Sequence, residues 1–397
     1  MIKINKLASL FLYLLLPMIG FLLSLLSIRR RNNFLYLNSF YISIFIFIIF
    51  IYIPPLGDLY RHYQLFEHID FNNPKIYKLD FLFYFNLIIF KNLCIPFFIL
   101  PALYTSISVY LYLKSFEILY NNYSKNHVKI TTLIIYVLII LLNISLFTTA
   151  SGLRFGLSTA LVIFAYSLII SKNKNLVPLI ILLFASFMHF SSYLFIIIYF
   201  FSKIKLNKLT FIALSSIAII MSQIIVFLFE YLVQILNYGH SYVLGKWADS
   251  SGKNIAGQIK IILNQLPFFL FLFLFIINKN KFKNINIIYW AVIIALLTKF
   301  SFTLFLRFSV VPTFIMLYML LIAYKEKLII YIILLFSIIY FLSDSIYGYR
   351  RQILLGNMWE ALYKPPILKM INIDKDYDFM LNQINKDGLW INNPVES

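Results

Sequence analysis

The sequence predicts an all-α, polytopic integral membrane protein with about 10–12 transmembrane helices and re-entrant segments. Of its 397 residues, 62% are hydrophobic and only 12% are charged, and the mean hydropathy is +0.87. A soluble fold of this length could not cover so much apolar surface with so few charges. The composition therefore excludes a water-soluble enzyme, a disordered protein and a nucleic-acid-binding domain as the main body of the chain.

Apolar stretches of spanning length recur along the chain, and each defines a candidate transmembrane helix. They lie near 7–28, 34–53, 95–113, 130–149, 153–170, 209–229, 258–277, 287–305, 308–324 and 328–342. The stretch 81–93 is short and contains Asn86 and Lys91, so it does not predict a simple crossing. We expect a membrane domain over 1–342 and an extracytoplasmic C-terminal tail over 343–397.

The net charge of +19 comes largely from short lysine and arginine clusters that separate the apolar stretches. The positive-inside rule places these clusters in the cytoplasm. The clusters lie within 29–31, 114–129, 172–174, 203–208, 279–283 and 325–327. The outer set then comprises the loops 54–80 and 230–257, the turn 150–152, the corner 306–307 and the tail, with both termini outside. Membrane topology therefore explains the basic balance without a nucleic-acid partner.

The apolar stretch 176–201 lies between two cationic clusters that both belong in the cytoplasm. A single straight helix cannot return to the same side, and two full crossings need about 40 residues. We expect a re-entrant hairpin with its tip at Met188-His189-Phe190-Ser191, which would place His189 in a buried cavity. The alternative is one long tilted helix, with one of the two cationic clusters on the other side.

Several ionisable residues gather at the outer ends of the predicted helices, where they are costly unless they have a function. Asp58, Arg61 and His62 follow a predicted span directly and would lie on neighbouring helical turns. Arg154 begins a helix after the tight turn 148–152, and a cation opposes the helix dipole there. A bound anion would relieve that mismatch. The alternatives are an ordinary polar loop capped by Asp58 and an Arg154 side chain that reaches lipid phosphate.

Other cations lie at the same outer level and make weaker candidates. Arg307 is expected at the corner between two helices, and Lys299 lies inside the helix before it. Arg350 and Arg351 begin the tail. An outward-facing pocket of arginine, aspartate and histidine suits a lipid-linked phosphate or diphosphate.

The sequence offers no pattern typical of a bound metal or cofactor. Cys94 is the single cysteine, so a disulfide or a cysteine-based metal or redox motif within the chain is not expected. The carboxylates of Asp374, Asp376 and Asp378 read as a solvated acidic patch. We expect neither a metal nor another cofactor.

Three short motifs resemble the polysaccharide polymerases of the Wzy/EpsG-like group. They are Gly57-Asp58-Leu59-Tyr60-Arg61-His62-Tyr63, Leu153-Arg154-Phe155-Gly156-Leu157-Ser158-Thr159-Ala160-Leu161 and Phe187-Met188-His189-Phe190-Ser191. The resemblance covers about residues 50–310 and departs from the family at Phe155, where a polar residue such as glutamine is expected.

The resemblance implies a GT-C-like glycosyltransferase that polymerises O-antigen of lipopolysaccharide, capsule or exopolysaccharide, at the outer face of the bacterial inner membrane. Its partners would be polyprenyl-diphosphate-linked oligosaccharides, the lipid bilayer and, in some systems, a chain-length-regulating protein. We expect Arg154 and Arg307 to bind the donor diphosphate with help from Arg61, and His189 or Asp58 to accept the acceptor proton. His62, Lys299, Arg350 and Arg351 would contribute more weakly.

Two other classes of membrane protein handle similar molecules. A lipid-linked oligosaccharide flippase or exporter should show related halves around a central cavity, and no such symmetry is present in the sequence. A membrane acyltransferase would need a catalytic histidine beside an arginine near the first helix, whereas His62 and Arg61 follow the second predicted span.

Overall fold

The computed structural model describes residues 6–31, 34–69, 80–124, 128–171, 176–236, 255–277, 285–324 and 326–391. Most of the expected outer loop 230–257 lies outside these ranges, as do parts of the loop 54–80 and of the cationic clusters near 125, 172, 279 and 325. The side chains at 369–374, Asp374 among them, are also outside the description.

The described chain is almost entirely helical, with one small antiparallel hairpin formed by β1 (Arg29–Arg31) and β2 (Phe34–Tyr36). The helices before residue 202 are α1 (Lys6–Leu15), α2 (Pro17–Leu26), α3 (Ser39–Phe50), α4 (Asp58–His68), α5 (Phe81–Asn92), α6 (Ile99–Tyr123), α7 (Ile130–Asn143), α8 (Leu146–Ser151), α9 (Leu153–Ile170), α10 (Leu176–Met188) and α11 (Tyr193–Phe201). The later helices are α12 (Lys208–Leu236), α13 (Ile255–Ile277), α14 (Asn286–Leu297), α15 (Phe302–Ala323), α16 (Lys327–Phe341), α17 (Arg350–Leu355) and α18 (Pro366–Asn382).

Five helices in the described part of the chain are long and apolar enough to cross a bilayer. They are Leu153–Ile170, Lys208–Ile225, Gln258–Ile277, Phe302–Ala323 and Lys327–Tyr347. Shorter apolar helices pack around them, among them Ser39–Phe50, Ile130–Asn143 and Asn286–Phe300. The chain is therefore an all-α, multi-pass membrane protein, as the sequence predicts, although several predicted spans are shorter than expected.

The first predicted span, 7–28, is broken into α1 and α2. Pro17 occupies the first position of α2 and cannot donate the backbone hydrogen bond that a continuous helix needs there. The hydroxyls of Tyr13 and Ser24 lie 2.5 Å apart, whereas a straight helix would separate these residues by about 16 Å along its axis. The prediction of one spanning helix over 7–28 was therefore wrong.

Three central helices, α6, α9 and α15, run side by side in the same direction. The Tyr123 hydroxyl near the end of α6 donates to the carbonyl of Ile170 at the end of α9, at 2.6 Å. Tyr112 of α6 packs against Phe314 of α15, and Phe116 packs against Tyr318 one turn further along both helices. Because these helices are parallel, their first turns meet at one end of the bundle.

The segment 176–201 forms the hairpin that the sequence favours. Helix α10 ends at Met188, His189 is extended, and a 3₁₀ turn over Phe190–Ser192 leads into α11. The Ser158 hydroxyl contacts both the Ala185 carbonyl and the Ser192 hydroxyl. Tyr166, eight residues further along α9, donates to the Phe195 carbonyl. The chain therefore turns back along α9 after the break, and a single long helix is excluded.

The reversal between α14 and α15 lies at Thr298–Ser301 and not at 306–307. The Ser301 side chain accepts a hydrogen bond from the Leu304 N–H and so caps α15. Arg307 consequently lies inside α15, while Lys299 lies in the turn itself. The predicted corner was wrong because Phe305 and Phe308 are buried within α15, so the apolar run continues through Arg307.

The tail folds back onto the segment that carries α4. The Gly57 N–H donates to the Gly388 carbonyl at 2.9 Å, and Gly57 has a φ of +60°, which favours glycine. The Tyr377 ring packs against Tyr63 and Phe98. The tail therefore lies at the same end of the bundle as α4.

Candidate functional site

The first turn of α9 places Arg154 against a carboxylate of the protein itself. Arg154 Nη1 lies 2.5 Å from Asp80 Oδ2, and Asp80 is 2% exposed. Asp80 Oδ1 accepts the Phe190 backbone N–H at 2.7 Å, and Asp80 Oδ2 lies 3.5 Å from His189 Nδ1. The Asp80 carboxylate thus lies where the sequence predicted a bound anionic ligand for Arg154, and it joins the segment before α5, α9 and the hairpin tip.

Burial and the neighbouring positive and hydrogen-bonding groups have opposite effects on the pKa of the Asp80 carboxyl. Burial alone would raise the pKa of its carboxyl, but His189, the Arg154 guanidinium and the Phe190 N–H outweigh it and lower that pKa below its ordinary value. The carboxylate therefore stays ionised, and its charge is balanced by the paired arginine.

His62 belongs to the same buried group. It is 4% exposed, and its ring packs edge-on against Phe83 at 5.3 Å between centroids. The guanidinium carbon of Arg154 lies 5.6 Å from the centroid of the Phe83 ring. Burial, reinforced by the positive charges of Arg154 and Arg61, lowers the pKa of His62 to about 3, so its imidazole is neutral.

A cavity of about 610 Å³ lies beside this group, among α4, the α7–α9 region, α13, α15 and the end of α16. Three cations line it: Arg61, Lys260 and Arg307. Two carboxylates, those of Asp58 and Asp344, line it as well. A water-filled or ligand-filled cavity at membrane depth is where irregular backbone and ionisable residues are tolerated.

Phe155 lies between the Asp80 cluster and the cavity. Its ring contacts the His189 ring edge-on at 5.9 Å, and the Arg307 guanidinium carbon lies 5.4 Å from its centroid. Phe155 lines the cavity, whereas Arg154 and His189 are not among the described residues that do so. The structure therefore divides the predicted site residues into two neighbouring groups.

The structure divides the predicted site residues into those that line the cavity and those that do not. Arg61, Asp58 and Arg307 line the cavity, and Arg61 forms a 3.4 Å ion pair with Asp58. Arg154, His189 and His62 form the buried group around Asp80. Lys299 is outside both and lies 5.1 Å from the centroid of the Phe269 ring.

The two tail arginines begin α17 outside the described cavity lining. Arg350 donates to the Tyr347 carbonyl at 2.9 Å, and its guanidinium carbon lies 4.6 Å from the centroid of the Tyr347 ring. In the described part of the chain, no group of three histidine, cysteine, aspartate or glutamate side chains has the arrangement of a metal site.

Three charged residues of the site were missed by the sequence analysis: Asp80, Lys260 and Asp344. The mismatch between Arg154 and the helix dipole was a signal for an anion nearby, but it did not identify Asp80. Lys260 lies in α13, and its Nζ is 5.6 Å from the centroid of the Tyr349 ring. Asp344 lies in a π-helical turn, Leu342–Tyr347, which continues α16.

Close backbone packing supports the wall between α8 and α9. A Cβ atom at Gly156 would lie 2.6 Å from Thr149 Cγ2 and 2.7 Å from the Thr149 carbonyl oxygen. Glycine is thus required for this approach, which holds Thr149 and Phe155 on the same cavity wall.

Fold and site together define a multi-pass membrane protein with a partly cationic cavity at one end of its helical bundle. The model of the EpsG family matches residues 34–354, which is more than half of the chain. The chain belongs to the EpsG family, and this membership indicates a role of the polysaccharide polymerase type. No curated protein and no solved structure matches the chain significantly.

Proposed function

We propose that this protein is a polysaccharide repeat-unit polymerase. It transfers a growing glycan from polyprenyl diphosphate to a lipid-linked repeat unit at the outer face of the bacterial inner membrane, in O-antigen, capsule or exopolysaccharide synthesis. The observation that carries this proposal is the cavity, which combines arginines with carboxylates at the end of the bundle. Family membership supports the polymer class, and the cavity supports a substrate that is both anionic and polar.

The cationic side chains suit the leaving group of this reaction. When the anomeric carbon leaves the lipid diphosphate, negative charge develops on the diphosphate oxygens. We assign Arg307 and Arg61 to those oxygens because both line the cavity. A guanidinium group can donate two parallel hydrogen bonds to the oxygens of one phosphate. Cations placed there in advance stabilise the transition state more than the bound substrate.

Arg154 has a different role in this proposal. Its guanidinium is paired with Asp80 and packs on Phe83, so it holds the hairpin tip and the cavity wall in position. His189 lies behind Phe155, and Asp80 is its ionic neighbour. Arg154 and His189 therefore affect the reaction indirectly, by positioning Phe155 and, through it, Arg307.

The neutral polar lining fits a glycan. Hydroxyl and amide side chains make up much of the cavity wall, including Asn143, Ser145, Thr148, Asn264 and Thr313. Aromatic rings also line it, and these present apolar faces on which sugar rings can stack. The GT-C-like architecture is part of this proposal.

Deleting the gene in its host tests the function. A polymerase mutant should accumulate single capped repeat units and lose the polymer ladder, and the wild-type gene should restore the ladder. Loss of all surface glycan, without single capped units, would instead support a lipid-linked oligosaccharide flippase. An unchanged ladder would contradict the proposal.

A further inference from the structure

The carboxylate of Asp344 is placed at the cavity wall by an irregular turn. Helix α16 changes at Leu342 into a π-helical turn that includes Asp344, and such turns often occur at functional sites. Asp344 is 5% exposed and lines the cavity. A carboxylate this deeply buried is costly unless it has partners or a function.

A chain of hydroxyl groups holds this carboxylate. The Ser145 hydroxyl donates a short hydrogen bond to Asp344 Oδ2. The hydroxyls of Ser145 and Thr148 lie 2.6 Å apart, and those of Thr148 and Tyr349 lie 2.9 Å apart. All four residues line the cavity. This chain links Asp344 to the start of α8 and to the residue before α17.

Two amide groups on the same cavity have buried oxygens without a partner in the described part of the chain. These are the Oδ1 atoms of Asn143 and Asn264. Asn143 is 5% exposed, and its Nδ2 donates to the Ser337 hydroxyl at 2.7 Å. An unpaired buried acceptor is unfavourable, and a donor from a bound molecule would remove that cost. Sugar hydroxyls are donors of this kind.

We infer that Asp344 takes the proton from the acceptor sugar hydroxyl, with Asn143 and Asn264 among the groups that bind the acceptor. The inference rests on the proposed polymerase function. In this step, the acceptor oxygen forms a bond to the donor's anomeric carbon. The bond from that carbon to the diphosphate oxygen breaks, and its electron pair leaves on the diphosphate. The hydroxyl proton moves to the Asp344 carboxylate.

Asp344 fits this role better than the two residues that the sequence suggested. Asp58 has a side chain that is 44% exposed and is engaged with Arg61 on the same helix. His189 lies behind Phe155 and outside the described cavity lining. Asp344 is buried, lines the cavity and has a fixed orientation.

The test uses membranes that contain the full-length protein and the lipid-linked repeat units that accumulate in the deletion strain. Asp344→Asn keeps an oxygen that can accept the Ser145 hydrogen bond, but it cannot take a proton. We expect polymer formation to fall at least about a hundredfold, which is typical for loss of a general base. Asp344→Glu should restore part of the rate. Wild-type rates for Asp344→Asn would overturn the inference.

Chemical rescue distinguishes a carboxylate that accepts the proton from one that only supports the structure around Asp344. Asp344→Ala removes the carboxylate, and added formate should raise its rate in a saturable way, whereas Asp344→Asn should not respond. Because the rescue is a ratio measured on one preparation, it does not depend on how much variant accumulates. If the residual rate of Asp344→Ala does not respond to formate, the inference is overturned.

Asp387→Asn is the matched control, since Asp387 is exposed on the tail and lies outside the described cavity lining. It should keep the wild-type rate. The deletion strain keeps the two proposals apart: if it still makes polymer, the proposed function fails, and with it the role of Asp344. If the strain lacks polymer and Asp344→Asn restores it fully, only the role of Asp344 fails.

Discussion

The carboxylate of Asp80 contacts three groups that are far apart in the sequence: the Arg154 side chain, the Phe190 N–H and the His189 ring. The sequence identified two of these three residues as candidates and missed the one that joins them. Asp80 looks like an ordinary acidic residue at the end of an outer loop, because only the three-dimensional fold brings the hairpin tip to it. The charge mismatch at Arg154 predicted a bound anionic ligand, whereas the structure pairs Arg154 with a carboxylate of the protein itself.

Replacing Asp80 by asparagine should destabilise the protein. The change leaves Arg154 without its partner. Because the Arg154 side chain is 23% exposed, the cost should be smaller than the value of about 3–5 kcal/mol found when a fully buried ion pair is broken. We expect a lower thermal midpoint for the detergent-solubilised variant. Asp378→Asn is the matched control because Asp378 is exposed, and an equal loss in both variants would contradict the role of Asp80.

His62 should make stability depend on pH. Its pKa in the fold is lowered to about 3, against an ordinary value of 6.5, so the unfolded chain binds the extra proton more readily. Stability should therefore fall as the pH drops below 6.5, by up to about 1.4 kcal/mol per pH unit. Thermal midpoints between pH 7 and 5 measure this, and His62→Gln should flatten the profile. An equally steep profile in His62→Gln would exclude this cause.

Substitutions at Arg307 and Lys299 compare a cation that lines the cavity with an exposed cation outside the described cavity lining. Arg307→Ala should lower polymer formation about a hundredfold or more, because it removes a charge-assisted contact to the diphosphate. Lys299→Ala should have little effect, since Lys299 is exposed and lies on the Phe269 ring. Polymer length and rate in membranes with matched protein levels provide the measurement. Equal effects of the two variants would contradict the assignment of Arg307.

At the scale of elements, the sequence predicted the hairpin 176–201 but not the break in the first span. The cationic clusters on both sides of the hairpin required a return to the same side. Pro17 carried an equally clear signal, because proline interrupts helical hydrogen bonding. The long apolar run around it concealed that signal. Arg307 was misplaced for a related reason: a charged residue in an apolar run suggested a helix end.

The hairpin makes a prediction about sidedness. After Cys94→Ser, single cysteines at Leu176 and Lys203, both exposed, should react with a membrane-impermeant maleimide from the same side. A cysteine at Asp387 should react from the opposite side. Labelling of 176 and 203 from opposite sides of intact cells or spheroplasts would exclude the hairpin.

At the scale of the whole molecule, composition and the recurring apolar stretches predicted the fold class, and the charge pattern gives a prediction of which helix ends share a side. Neither could predict the boundary between the two groups of site residues. That boundary is the Phe155 ring, and its position depends on the close packing of Gly156 against Thr149. Lys260 and Asp344 were not predicted because each lies in or beside an apolar helix, and only the folded structure brings them to the cavity.

The hydrogen bond from the Gly57 N–H to the Gly388 carbonyl joins the start of α4 to the tail. Helix α4 places Asp58 and Arg61 on the cavity, so a movement of this cavity edge is coupled to the tail. If the cavity opens to let a bulky glycan pass, α4 must move together with the tail or break that hydrogen bond. A bulky reporter fused after the tail would therefore hinder the movement of α4, so the tail is a poor site for a tag in activity measurements.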